Sequence, residues 1–261
     1  TFLVLELPVT ELTSMIAGFL WPLFRIAAFF MFMPIISSQL VPTRVRMGLA
    51  VLVTLAVAPL LPEMPVVDGL SFEAYLLVGQ QLLIGFSMAF IFQMFFQIFV
   101  LVGQMIAMQM GLGFASMVDP VNGVSVAVLS QFYLMLVMLM FVCMNGHLVV
   151  IEVFIESFKI MPVGTEIFEV GIFMQLVMWA SWMFASALVL ALPAVCALLV
   201  VNFAFGIMNR AAPQLNVFAL GFPISMLTGL MIVFVTLTRF VPQFDKLAEQ
   251  SLMMMRSLLG L

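Results

Sequence analysis

Charge is what this chain has least of. Only 8% of its 261 residues are Asp, Glu, Lys or Arg, against about 25% in soluble domains. Eight basic residues leave no patch for nucleic acid. The single histidine, His147, has no second ligand motif beside it, so a metal site has little to build on. Cys143 and Cys196 both lie inside apolar runs and read as small buried hydrophobes, not as a disulfide or a metal pair. There is no phosphate loop, nucleophile elbow or zinc motif. The expectation is a protein that is not an enzyme and needs no cofactor. A secretory signal is not expected either, because the N-terminal apolar run lacks a basic leader and a small-residue cleavage site.

What is present is apolar side chain. Hydrophobic residues make up 66% of the chain and mean hydropathy is +1.32. A soluble core cannot absorb that much, so the class is an all-α integral membrane protein. Six long apolar segments, near 12–36, 47–61, 72–102, 126–151, 170–203 and 215–240, predict about six long, kinked helices in hairpins. The second is short for a crossing of about 20 residues, and the third is too long for a simple one. The tail 241–261 carries Leu247, Leu252, Met255, Leu258 and Leu259 at helical spacing, which predicts an amphipathic helix lying on a surface or a partner. The whole reads as one helical domain, 1–261, divided into N-terminal helices with a break (1–123), C-terminal helices (124–241) and the tail (242–261). No convincing internal repeat is visible. Arg44 and Arg46 place the first loop on the cytoplasmic side. A six-span arrangement with both termini outside fits the loops, although Lys246 and Arg256 in the tail oppose it.

One stretch interrupts the apolar pattern. GQMIAMQMGLGFASMVDPVNG, 103–123, gathers Gly111, Gly113, Asp119, Pro120, Asn122 and Gly123 between apolar runs. Lipid cannot satisfy the backbone groups that such a break frees. Irregular backbone survives at membrane depth only when buried in protein or facing a wet cavity. The segment therefore lines a path or plugs one, unless it surfaces as an interfacial loop. Met105, Met108, Met110 and Met117 surround it; flexible thioethers suit a seal, and equally they suit core filling. Gln93, Gln97 and Gln104 fall on one helix face, which suits either inter-helix hydrogen bonds or a wet lumen. Arg25 lies near the middle of the first segment, where insertion costs roughly 2.5–3.5 kcal/mol. It is read as buried and paired with a carboxylate or with carbonyls, against the alternative of snorkelling past Pro22. Asp119, Glu152 and Glu156 are the candidate partners, unranked. Glu152 and Glu156, four residues apart, repel on a helix and should face water or a base such as Lys159.

Three stretches carry a resemblance. RIAAFFMFMPIISSQLVPTRVRMGLA (25–50), GQMIAMQMGLGFASMVDPVNG (103–123) and NRAAPQLNVFALGFPISMLTGL (209–230) occur in the order found in the FliR family of flagellar and injectisome export-gate proteins, and the similarity extends over essentially the whole chain. Relative to that family, the Thr1 start reads as lacking a few leading residues. The resemblance implies a pore subunit of the type III export gate in the bacterial inner membrane, within the flagellar basal body, passing unfolded export substrates. It implies FliP-like and FliQ-like partner subunits and an FlhB-like switch protein, with helical hairpins lifted above the membrane plane. It also implies that the segment matching Gly111–Asn122 plugs the closed pore. In that reading Gly111 and Gly113 let the chain bend, Asp119 and Pro120 end the helix, and Met110, Phe114 and Met117 form an apolar seal. The alternatives are a secondary transporter with a broken-helix site at the midplane, for which one clear break is too few, and a passive assembly subunit.

Overall fold

The apolar segments fold as helices because lipid-class sequences must satisfy their backbone internally. A computed structural model describes residues 9–36, 41–62, 64–67, 71–112, 127–164, 170–211 and 217–259. Among these, the helices are α1 (Val9–Phe32), α2 (Thr43–Val57, followed by a 3₁₀ turn at Ala58–Leu60), α3 (Phe72–Gln109), α4 (Val128–Cys143), α5 (Gly146–Ile160), α6 (Val170–Ala211), α7 (Val217–Leu237) and α8 (Phe240–Leu259). The described residues contain no strand. Four helical stretches are long and apolar enough to cross a membrane, and six if each of two bent pairs counts as one span.

The bent pairs correct the sequence reading. The segment 126–151 is not one helix: α4 stops at Cys143, α5 starts at Gly146, and the two are bent by 69°. Asn145, at φ 58°, occupies the left-handed region between them, which Asn tolerates better than most residues. The Asn145–Gly146 dipeptide is a turn signal. The segment 215–240 leads into a second bend of 65° between α7 and α8. After α2, then, the described helices run twice through the same order: a long helix, then a bent pair. No such repeat is visible in the residues themselves.

The chain separates into two compact units. One comprises Thr1–Gln93, Val142–Val177 and Ser251–Leu261; the other comprises Met94–Phe141 and Met178–Gln250. In the first, Phe29 packs edge-on against Phe92 and Phe154, with ring centroids 5.7 and 4.8 Å apart. Trp21 donates from Nε1 to the Pro65 carbonyl, tying α1 to the segment before α3. Gly85 of α3 lies directly against the Arg25 carbonyl of α1, where a Cβ has no room. In the second, Phe95, Phe96 and Phe99 of α3 meet Phe141, Phe240 and Phe244. Gly103 lets α3 approach the backbone of Ser130, since a Cβ there would lie 2.5 Å from the Ser130 Cα.

The tail is also corrected. Helix α8 is amphipathic, but its apolar side is covered by the chain itself: Phe244, Leu247, Ser251, Met255 and Leu258 are all buried. Phe244 rests on Phe95 and Phe99, and Gln250 accepts a hydrogen bond from Trp182 Nε1. The spacing gives the helix an apolar stripe without saying what covers it.

Candidate functional site

Helix α3 ends where the sequence break begins, and its end is held at three successive residues. A helix C-terminus leaves carbonyls without intrahelical partners. Asn202 of α6 answers one of them, donating from Nδ2 to the Gln109 carbonyl at 3.1 Å. Ser225 of α7 in turn donates to Asn202 Oδ1 at 3.0 Å. Met110 is fully buried, its side chain lying over Gly229 of α7, and a Cβ at Gly229 would sit 2.6 Å from the Met110 sulfur. Gly111, at φ +78°, takes the left-handed conformation that closes many helices. A Cβ there would also strike the Phe222 ring at 2.9 Å. Beside this stem is a cavity of about 630 Å³, lined by Met108, Asn202, Phe205, Asn209 and Phe222 among others.

The chain returns to the same helix. The Ala127 amide and the Ser130 hydroxyl both donate to Gln104 Oε1, each at 3.3 Å. Both flanks of residues 113–126 are thus held at the last turns of α3. Gly113, Phe114, Met117, Asp119, Pro120 and Asn122 lie outside the described residues. Met110 and Gly111 lie within them, as the stem.

Gln104 has therefore a defined use, as the mooring of the returning chain. Gln93 and Gln97 do not share it. Gln93 is exposed and Gln97 half-buried, on the one partly open stripe of α3; between Ser87 and Ala107, Gln93 is the only exposed residue. The described residues place no hydrogen bond between any two of the three glutamines.

Arg25 is buried completely. Its Nε donates to Gln81 Oε1 at 2.8 Å, Nη1 to the carbonyl and hydroxyl of Ser157 at 2.9 and 3.0 Å, and Nη2 to the Met161 carbonyl at 2.9 Å. The guanidinium also lies 3.9 Å from the centroid of the Phe158 ring. None of these partners is a carboxylate. Ser157 and Met161 belong to the end of α5, where the helix dipole is negative and carbonyls are unfilled. A planar cation with several donors fits that end, and the aromatic face adds a cation–π contact. The group does not snorkel. Of the acids considered as partners, Glu156 instead faces Arg256 of α8 at 3.5 Å, Glu152 is exposed, and Asp119 lies outside the described residues. The Gln81 amide nitrogen is buried without a partner.

One further expectation is revised. Cys143 and Cys196 are exposed, not buried. They sit on outward faces of α4 and α6, which are as apolar as the inner ones. Among the described residues no group of three or more His, Cys, Asp or Glu could hold a metal. Asn202, Ser225 and Ser157 were not singled out from the sequence. Asn202 had a signal: a lone amide in the apolar run ALLVVNFAFG, where a polar side chain must find a partner.

Comparison with known proteins agrees with this architecture. Residues 16–251 match the family described as bacterial export proteins, family 1. The flagellar biosynthetic protein FliR of Escherichia coli (strain K12) is 38% identical over 234 residues, covering 89% of this chain and 88% of that protein. FliR of Pectobacterium carotovorum is 35% identical over 92% of this chain and 90% of its own length. The surface presentation of antigens protein SpaR of Shigella sonnei is 28% identical over 81% and 82%. A match spanning nearly all of the helical chain, together with relatives above 30% identity at near-full coverage, means that this chain belongs to family 1 of the bacterial export proteins, the family of FliR.

Proposed function

We propose that this chain is a pore-forming subunit of a type III protein export gate, with residues 111–122 acting as its seal. The observation that carries the reading is the moored excursion at the end of α3. Both flanks of the break are anchored at the last turns of one helix in a protein of membrane class, through Gln109 on one side and through Gln104 and Ala127 on the other. Gly and Met suit that duty, because a seal that must close and later admit varied side chains works by yielding apolar contact. The 38% identity to the Escherichia coli FliR, against 28% to the Shigella sonnei SpaR, favours a flagellar over an injectisome apparatus. In this reading the chain works in the inner membrane with FliP-like and FliQ-like subunits and an FlhB-like protein. The long α6 offers them apolar surface, since only 22% of its most apolar stretch is buried within the chain.

The experiment is deletion of residues 111–122 in the assembled complex. The expected result is normal assembly with increased leakage of small ions. A deleted complex that assembles and remains ion-tight puts the barrier elsewhere. The transporter alternative gains one observation, because the chain has two bent helix pairs in addition to the break. Solute flux in reconstituted vesicles separates the two: a gate shows no saturable, solute-specific uptake.

A further inference from the structure

In each bent pair the charges fall on the second helix. Helices α4 and α7 contain no Asp, Glu, Lys or Arg, whereas α5 carries Glu152, Glu156 and Lys159 and α8 carries Asp245, Lys246, Glu249 and Arg256. At 3.6 residues per turn the charges of α8 occupy about 100° of its circumference, and those of α5 about 60°. Glu156 is half-buried and the other six are exposed. The opposite side of α8 is buried within the chain, through Phe240, Phe244, Leu247, Met255 and Leu258. Its apolar side is therefore already covered, and what α8 turns outward is its charged side.

The outer surface of α7 is of the other kind. Among the described residues α7 exposes seven large hydrophobics, Leu227, Met231 and Phe234 among them, and α8 exposes two, Val241 and Met253. Lipid accepts the first surface and rejects the second. An ionised side chain at membrane depth faces a bundle interior or a water-filled cavity, and a helix lying on a bilayer turns its apolar side to the lipid. Asp245, Lys246 and Glu249 have no ion-pair partner among the described residues, so their charges are solvated from outside the chain. Arg256 Nε lies 3.5 Å from Glu156 Oε2, which brings the end of α8 beside α5. The two helices together mix four acids with three bases. A partner of one charge sign finds no matching field on such a face, whereas water solvates both signs alike.

We infer that the charged sides of α5 and α8 are the wetted face of this chain, lining an aqueous space while α4 and α7 meet lipid or apolar partners. The bends of 69° and 65° are then the places where the chain passes from apolar surroundings to wet ones. The inference stands apart from the sealing role of residues 111–122 and holds whether or not they close a pore.

The test is cysteine accessibility in the assembled complex, in membrane vesicles opened to both sides. In a Cys143→Ala, Cys196→Ala background, single cysteines replace charged residues (Glu152→Cys, Lys246→Cys, Glu249→Cys) or exposed apolar residues of α7 (Leu227→Cys, Met231→Cys). The probe is a sulfonated maleimide, which does not enter lipid. It attacks the thiolate, a species that apolar surroundings suppress. Rates are normalised to labelling after denaturation. The cysteines of α5 and α8 are expected to react on the order of tenfold faster than those of α7, because only the former meet water. Equal rates on the two surfaces overturn the inference. So does protection of the α8 cysteines until detergent strips the complex, because a partner then covers the charged side. If Lys246→Cys does not assemble, Glu249→Cys on the same side of the same helix decides: fast labelling supports the inference and protection overturns it.

Discussion

Two stretches of this chain share a plan and differ in surroundings. The run α3–α4–α5 and the run α6–α7–α8 each consist of a long helix, of 38 and 42 residues, followed by a helix pair bent by 69° or 65°. Yet 67% of the most apolar stretch of α3 is buried within the chain, against 22% for α6. Phe96 of α3 is 1% exposed and Phe203 of α6 is 71% exposed. Apolarity alone cannot explain the difference, because both helices are apolar all round. Close approach does. Gly85 and Gly103 of α3 touch neighbouring backbone, whereas Gly171 and Gly206 of α6 face open space. In membrane-class proteins small residues, not extra hydrophobicity, bring helices together. One long helix is packed as core; the other presents surface for lipid or partner helices.

Matched substitutions test the contrast, and the largest effect is expected from the phenylalanines. Phe96→Ala should cost about 3–5 kcal/mol as a cavity opens, while Phe203→Ala should stay within about 0.5 kcal/mol; thermal unfolding of the purified complex in mild detergent reads both. Equal losses would mean that α6 is as internal as α3. The glycines come next. Gly85→Ala forces a Cβ against the Arg25 carbonyl and should cost about 3 kcal/mol, at the upper end for overpacking. Gly206→Ala should be neutral or stabilise by about 0.5–1 kcal/mol through helix propensity, visible in the same melting curves.

A third substitution concerns the end of the first bent pair. Arg25 satisfies Gln81, Ser157 and Met161 with three different nitrogens. Lysine keeps the charge but cannot span those acceptors, so Arg25→Lys should itself lose about 2 kcal/mol, and Arg25→Leu more; yield of assembled complex ranks them. Full recovery with lysine would show that charge alone matters there. The smallest effect distinguishes the two bends. Asn145→Ala should cost a few tenths to about 1 kcal/mol, because alanine tolerates the left-handed region less well than asparagine, and Asn145→Gly, with no Cβ, should be neutral or stabilising. Thr238→Ala at the other bend, where Thr238 has no positive φ, should be nearly silent.

The sequence revealed the helical, membrane-class architecture because hydropathy reports directly on solvent. It also marked a break around Gly111, but it assigned the helix end to Asp119 and Pro120, whereas α3 stops at Gln109 and Gly111 is already left-handed. It did not reveal which apolar face turns inward. Cys143 and Cys196 illustrate this: an apolar neighbourhood in sequence was mistaken for burial, although the outer surface is equally apolar. Nor did it reveal partners distant along the chain. The burial of Arg25 and its pairing with carbonyls were legible as one of two alternatives, but the particular acceptors at the end of α5 are more than 130 residues away and no local pattern names them. The same holds for Asn202 and Gln109, 93 residues apart. The bend at Asn145 was missed for a different reason: a long apolar run outweighed a local Asn–Gly signal that was plain to read.

The mooring of residues 113–126 at both ends on α3 has a consequence for how such a protein can change over time. The entropic cost of joining two fixed points grows only logarithmically with the length of chain between them, about 0.6 kcal/mol for each doubling. That stretch can therefore be enlarged or trimmed with little effect on folding, because Gln104 and Gln109 hold the ends whatever lies between. Helices and insert are in this sense separately adjustable: the length and composition of 113–126 can change without disturbing the anchors at Gln104 and Gln109.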